Sequence, residues 1–187
     1  KSEPTADEKP PEINPGFLDG CFDEVDPSSV ERIVYSGPGE WHGKLVTPAE
    51  ARLLDCFAID KAVDYVKQRQ VWKTPIGAHQ GLSHPLAQNH IEIELAKLMM
   101  QKAASLYDTG DDVAAAEAAN MAKYAAGEAS VRAVDQAVQS LGGNGLTKEY
   151  GIASVLTASR LARIAPVSRE MILNFVAQTS LGLPRSY

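Results

Sequence analysis

The run from Asp111 to Leu141 constrains the fold of this chain more than any other. Alanine stands at Ala114–Ala116, Ala118, Ala119, Ala122, Ala125 and Ala126. Alanine is the strongest helix former, and its single methyl does little to hold a neighbouring backbone away. The stretch therefore predicts a long helix over 112–141, lying inside the structure with another helix packed closely on it. Asp111 or Asp112 can cap its start. Gly142-Gly143-Asn144-Gly145 breaks it at the other end.

The flanking sequence is also helical. Thr47-Pro48-Ala49-Glu50 reads as a helix start, with Thr47 as N-cap, Pro48 in the first helical position and Glu50 as the acid of a capping box. Leu53, Leu54, Phe57, Ala58, Val63 and Val66 follow at helical spacings, which predicts a helix over 49–71. A turn at Thr74-Pro75-Ile76-Gly77 ends it. A second long helix is expected over 79–107, stopped by Asp108-Thr109-Gly110 with Gly110 in the left-handed cap. Shorter helices are expected over 153–163 and 168–181. Asp26-Pro27 opens another, over 27–35, ahead of the glycine- and proline-rich Ser36–Pro48. Residues 1–26 begin with a proline- and acid-rich stretch that cannot bury enough apolar surface to offset its chain entropy, and they read as an arm or linker. No alternating β pattern of useful length follows residue 26. The fold class is all-α, an antiparallel helix bundle over 27–187.

Composition narrows function only by exclusion. The 187 residues carry a net charge of −6, whereas nucleic-acid binders cluster a surplus of Lys and Arg. No run approaches the roughly 18 apolar residues of a membrane span. Lys1–Glu12 has no apolar core of the signal-peptide kind. Two cysteines, Cys21 and Cys56, are too few for a disulfide framework or a Cys-based zinc site, so a reducing cytoplasm is the expected compartment. His84 and His90 are six apart and do not share a helix face, and no H-E-x-x-H signature occurs, so no metal site is expected.

Local features remain ambiguous when taken one at a time. The Gly142–Gly145 loop lacks the Lys-Ser/Thr that follows a P-loop, and no strand precedes it. By itself it reads as a helix cap and reversal. Arg69 near a helix C-terminus complements the dipole, and becomes more than that only with a phosphate-bearing ligand. Glu31 in a first helical turn is stabilised by the same dipole and needs no special role.

Taken together and in order, three stretches resemble the C-terminal helical domain of the flavin-dependent acyl-CoA dehydrogenase family. In Ala58–Ala87, Arg69 is followed by an aromatic, Trp72, three residues later, by a Pro-Ile-Gly turn, and by Gln80 eleven residues on. Asp135–Ile152 is similar to a Q-x-x-G-G-x-G-x-x-x-E-Y segment through Gln139, Gly142, Gly143, Gly145, Glu149 and Tyr150. Ala162–Tyr187 resembles the closing helix of one bacterial branch.

The resemblance implies FAD, an acyl-CoA substrate, and α,β-dehydrogenation of the thioester to a trans-2-enoyl-CoA. It implies that Arg69 pairs with the FAD pyrophosphate, with Trp72 beside it and Gln80 near the adenosine half. Gln139 and the bare backbone at Gly142 and Gly143 would let the cofactor approach closely. These groups would reach across an oligomer interface to FAD held mainly by a neighbouring subunit, so a homo- or hetero-oligomer is expected. Ser168, opening the last helix, joins the cofactor-binding set. The family's usual catalytic base falls at Pro166, which cannot take a proton. Another branch places the base in an Arg-preceding Glu, which Glu31-Arg32 matches, making Glu31 the candidate base. The spacing from Glu31 to Arg69 is longer than the family's, and the excess falls on Gly37–Pro48, read as an inserted loop. The family's usual chain is about twice as long, with an N-terminal helical domain and a β-domain ahead of this region. Three readings follow: the C-terminal part of a dehydrogenase, a non-catalytic helical partner of one, or an adaptor with no flavin link.

Overall fold

A computed structural model describes residues 48–185, with the backbone alone described over 48–55. The arm 1–26, the expected helix over 27–35 and the inserted loop as far as Thr47 lie outside the described residues. Five α-helices make up most of the described chain: α1 Pro48–Gln68, α2 Gln80–Asp108, α3 Asp112–Leu141, α4 Ile152–Leu161 and α5 Arg169–Thr179. Single 3₁₀ turns at Ile76–Ala78 and Gly142–Leu146 lead into α2 and out of α3. The all-α class holds.

The alanine-rich helix is the centre of the bundle, and α3 touches each of the other four helices. Asp111 accepts from the Ala114 N–H at 3.1 Å and so caps α3. Gly110 just before it takes the left-handed conformation, φ 81°. The link from α2 to α3 is only Thr109–Asp111, which forces the two long helices to run antiparallel side by side. Along α3, Ala115, Ala118, Ala122, Ala126, Ala129, Ala133 and Ala137 are buried. Steps of three and four keep them on one broad stripe. Ala129, Ala133, Val134, Ala137 and Leu141 form the main core with Ala58, Ile59, Ala62 and Val66 of α1, Leu86 and Ile93 of α2, and Ile152 of α4.

Gly127 lets another backbone come close to α3. A Cβ at this position would lie 2.8 Å from the Ala162 carbonyl oxygen just past α4. The Lys123 ammonium donates to the same oxygen at 2.6 Å. The end of α4 therefore rests directly on the backbone of α3. Gly145 is equally constrained, because a Cβ there would come within 2.6 Å of the Val138 carbonyl oxygen. Only a glycine lets the 3₁₀ turn fold back over the last turns of α3.

The structure corrects the expected end of the first long helix. It stops at Gln68, not residue 71, and Gln70–Val71 pairs antiparallel with Thr74–Pro75. Trp72 and Lys73 form the two-residue tip, with φ of 52° and 65°. A two-residue hairpin turn of this hand needs both residues at positive φ, which is usually met by Asn-Gly or Asp-Gly. Trp-Lys gives no such signal, so the hairpin was invisible to pattern reading. The remaining ends shift by two residues or fewer, with α4 over 152–161 and α5 over 169–179.

The glycine contacts generate a stability prediction. Gly127→Ala should destabilise the protein by about 1–2 kcal/mol, because backbone overlap outweighs the gain in helix propensity. Gly81→Ala, with nothing within 4 Å of the added methyl, should be neutral or slightly stabilising. Urea unfolding of both variants tests this, and equal midpoints would refute the close α3–α4 contact.

Candidate functional site

Six of the seven residues expected to bind cofactor lie on connected pieces at the junction of α1, α2 and α3. Arg69 follows α1 directly, and its N–H donates to the Tyr65 carbonyl at 2.8 Å, extending the helical ladder by one residue. Its own carbonyl accepts from Ile76 N–H at 2.8 Å, which closes the hairpin. Trp72 at the tip is 87% exposed and meets the His79 ring edge-on, with centroids 6.3 Å apart. Gln80, next to His79, is the first residue of α2. Arg69, Trp72 and Gln80 are thus carried by one short turn unit.

The glycine loop joins this unit through Tyr65. Asn144 donates through Nδ2 to the Tyr65 hydroxyl at 3.2 Å and stands 3.5 Å from the Tyr150 hydroxyl. The two tyrosine rings pack edge to face at 5.9 Å. Tyr65 is four residues before Arg69, and Asn144 follows Gly143, so this cluster fixes the two motifs against each other. Gln139 lies exposed in the last turn of α3. Gly142 has φ 60°, and a methyl at Gly142 or Gly143 would meet nothing within 4 Å. The backbone there is open to a ligand. Its own backbone N–H, foremost, and the neighbouring Thr147 side chain hold the Glu149 carboxyl below the usual range.

Among the described residues, no acid pairs with the Arg69 guanidinium. Arg69, Gln80, Gln139, Gly142 and Gly143 are all exposed. The fold uses their backbones and leaves their polar side chains and open glycines to solvent. That arrangement suits an elongated, anionic, hydrogen-bonding ligand, which Arg69 would meet with a forked pair of donors.

Ser168 is not brought to this cluster. It caps α5 by accepting from Met171 N–H at 3.4 Å. The loop that carries it is tied to Glu128 of α3. Glu128 lies eleven residues before Gln139, about 16 Å along the helix axis. Pro166 is exposed in the same loop. Glu31 falls outside the described residues. No described residues form a group of histidine, cysteine or acidic side chains able to hold a metal ion. No helix among the described residues is long and apolar enough to cross a membrane.

Sequence reading missed Tyr65 and Asn144 as the link between the motifs. Their contact spans 79 positions and has no local signature. It also missed Glu128, for which the Glu128–Arg132 spacing of four was the one available cue.

Comparison with known proteins identifies the domain. Residues 55–181 match the family model described as acyl-CoA dehydrogenase, C-terminal domain. The acyl-CoA dehydrogenase FadE12 of Mycobacterium tuberculosis is 75% identical over 144 residues, covering 77% of this chain and 37% of that protein. Butyryl-CoA dehydrogenase from Megasphaera elsdenii superposes with a TM-score of 0.67 at 29% identity, covering 73% of this chain and 35% of that one. A structure described as the FAD complex of PigA gives 0.69 at 25% identity, again over 73% and 35%. This chain thus spans little more than a third of the length of each.

Two substitutions separate the scaffold from the exposed residues it carries. Tyr65→Phe should cost about 1 kcal/mol through the lost bond from Asn144. Trp72→Ala, at an exposed tip, should stay within about 0.5 kcal/mol of the parent. Chemical unfolding distinguishes them, and an unaffected Tyr65→Phe protein would remove Tyr65 as the link.

Proposed function

The chain belongs to the acyl-CoA dehydrogenase family, and we propose that it is the C-terminal part of a flavin-dependent enzyme that desaturates an acyl-CoA thioester to a trans-2-enoyl-CoA. The observation that carries this reading is the exposed set of Arg69, Trp72, Gln80, Gln139, Gly142 and Gly143 on elements locked together by Tyr65 and Asn144.

These residues suit FAD in kind. Arg69 would hold the pyrophosphate through charge-assisted bonds, Gln80 and Gln139 would bond the neighbouring polar groups, and Gly142–Gly143 would admit the cofactor against bare backbone. Ser168 would contribute from the separate loop, its hydroxyl hydrogen remaining available while its oxygen caps α5. The cofactor would be shared with a partner subunit, as the family resemblance implies for these motifs. FAD, when bound, accepts the hydride that leaves the substrate β-carbon. This chain's part is to hold the cofactor and to supply the base. The thioester carbonyl acidifies the α-proton enough for a carboxylate to remove it. Glu31 is assigned that proton, because Pro166 stands where the family commonly carries its acid.

A second reading rests on the same Pro166: a helical partner that stabilises a complete dehydrogenase and performs no chemistry. Glu31→Gln decides between them. In the assembled protein it should abolish substrate α-proton exchange while acyl-CoA still binds. Exchange at the parental rate would move the chain to the partner role.

The cofactor assignment is tested through Arg69→Ala. Losing a charge-assisted bond of about 1.5–3 kcal/mol should weaken FAD retention about ten- to hundredfold. Visible absorbance after gel filtration reads the bound flavin. Unchanged retention would reject Arg69 as a flavin ligand, and a colourless parental assembly would favour an adaptor with no flavin link.

A further inference from the structure

We propose that Glu128 is a positioning residue for the reaction proposed above, clasping both ends of the loop Arg163–Arg169 to α3 and so setting where Pro166 and Ser168 stand. The proposal rests on the reading of the chain as part of a flavin-dependent dehydrogenase, in which Pro166 falls at the position of the family's usual base and Ser168 joins the cofactor-binding set.

The loop closes at its neck. The Arg169 N–H donates to the Arg163 carbonyl at 3.1 Å. From the two sides of the neck, Arg163 Nε and Arg169 NH1 converge on one atom, Glu128 Oε1, at 2.8 and 3.2 Å. The second oxygen, Oε2, faces Arg132 NH1 at 3.5 Å, and Arg132 Nε is anchored by Glu92 Oε2 of α2 at 2.7 Å. Glu128 is therefore oriented from both of its oxygens. Its side chain is 12% exposed and that of Arg163 19%, so the central pair is shielded from the solvent that weakens surface ion pairs. Arg169 Nε also lies 3.1 Å from Glu170 without the alignment of a hydrogen bond.

Apart from the Ile164 and Ala165 N–H groups, which both donate to the Leu161 carbonyl at 2.9 Å, little else fixes the tip of the loop. Ile164 is 59% exposed, Pro166 is exposed, and Ala165 and Val167 are only partly buried. Apolar burial anchors the flanks, at Ala162 and Ile172, and leaves the tip outside the core. Without the carboxylate, two guanidiniums would face each other across the neck at close range, with only the solvent-exposed Glu170 carboxylate beside Arg169 as counter-charge. Like charges so placed repel, and in a partly buried setting removing one member of an ion-pair network is far costlier than the pair's net worth. The expected consequence is that the neck opens and the tip swings away from its place.

The test uses the flavin-loaded assembly purified from its host, carrying Glu128→Gln. This variant keeps the size of the side chain and removes its charge. The acyl-CoA KM should stay within about twofold of the parent, while flavin retention weakens as Ser168 is displaced and the flavin that remains bound is reduced about ten- to hundredfold more slowly at saturating acyl-CoA, as expected for a misplaced reacting centre. Amide hydrogen exchange at Ile164, Ala165, Val167 and Ser168 should rise with no change over the first turns of α3. Glu128→Asp, one methylene shorter but still charged, should recover part of the rate, which a purely structural loss would not predict. If Glu128→Gln does not fold, Arg163→Lys and Arg169→Lys each keep the charge, lose the fork, and should show the same split in weaker form. Faster loop exchange with a parental reduction rate would overturn the positioning role and leave a structural clasp. Unchanged exchange would overturn the clasp itself. A colourless parental assembly would overturn the dehydrogenase reading, an outcome that the exchange measurement identifies separately.

Discussion

The rest of the structure depends on how closely other backbones can approach α3. Its buried residues are mostly alanine, glycine and serine, and at Gly127 even a methyl would overlap the Ala162 carbonyl. Small side chains bury little apolar area each, so α3 contributes less hydrophobic stabilisation per residue than a leucine-rich helix would. In return it admits four helices around it. Larger residues come from the neighbours: Ile59 and Val66 of α1, Leu86 and Ile93 of α2, and Ile152 of α4. The division of labour explains why one helix can serve as a common reference for the candidate functional elements among the described residues.

Two such elements are mounted on it, far apart. At its C-terminal end the open glycine turn is fixed to α1 through Asn144 and Tyr65. Near its middle, Glu128 holds the loop that leads into α5. The same rigid rod thus spaces the cluster around Arg69 and Gln139 from Ser168. A ligand reached by both clusters has to be long or drawn from two copies of the site, and the shared FAD proposed here meets that demand. Under that proposal the exposure of Arg69, Trp72 and Gln139 is an interface property: polar and aromatic groups held ready on a well-packed base, with Trp72 meeting His79 edge-on.

Helix existence was readable because it rests on local rules. The Asp111 cap, the left-handed Gly110 and the alanine spacing all act within a few residues, and all appear as expected. The end of α1 was not readable, because the hairpin at Trp72 and Lys73 adopts two positive φ values without the residues that usually allow them. Its cross-strand pairing and the Ile76 bond to Arg69 hold the turn that local preference opposes. The motifs carrying Arg69 and Gly142 could be recognised separately. Their joining through Tyr65 could not, because a contact across so many residues leaves no trace in spacing.

What the sequence determined by itself was the helical class, the order and approximate extent of the helices, and the motifs that resemble the family's, since propensity, capping and motif spacing are short-range properties. Tertiary structure alone decided which of those residues meet and which stay apart. It gathered Arg69, Trp72 and Gln80 on one turn unit and placed the glycine loop against it, while holding Ser168 on a different loop. It also converted Glu128, one acid among 24 acidic residues, into the point where Arg132, Arg163 and Arg169 converge. The physical reason is that an ion pair is selected by distance in space and by burial, and both are set only after α2, α4 and α5 have packed on α3.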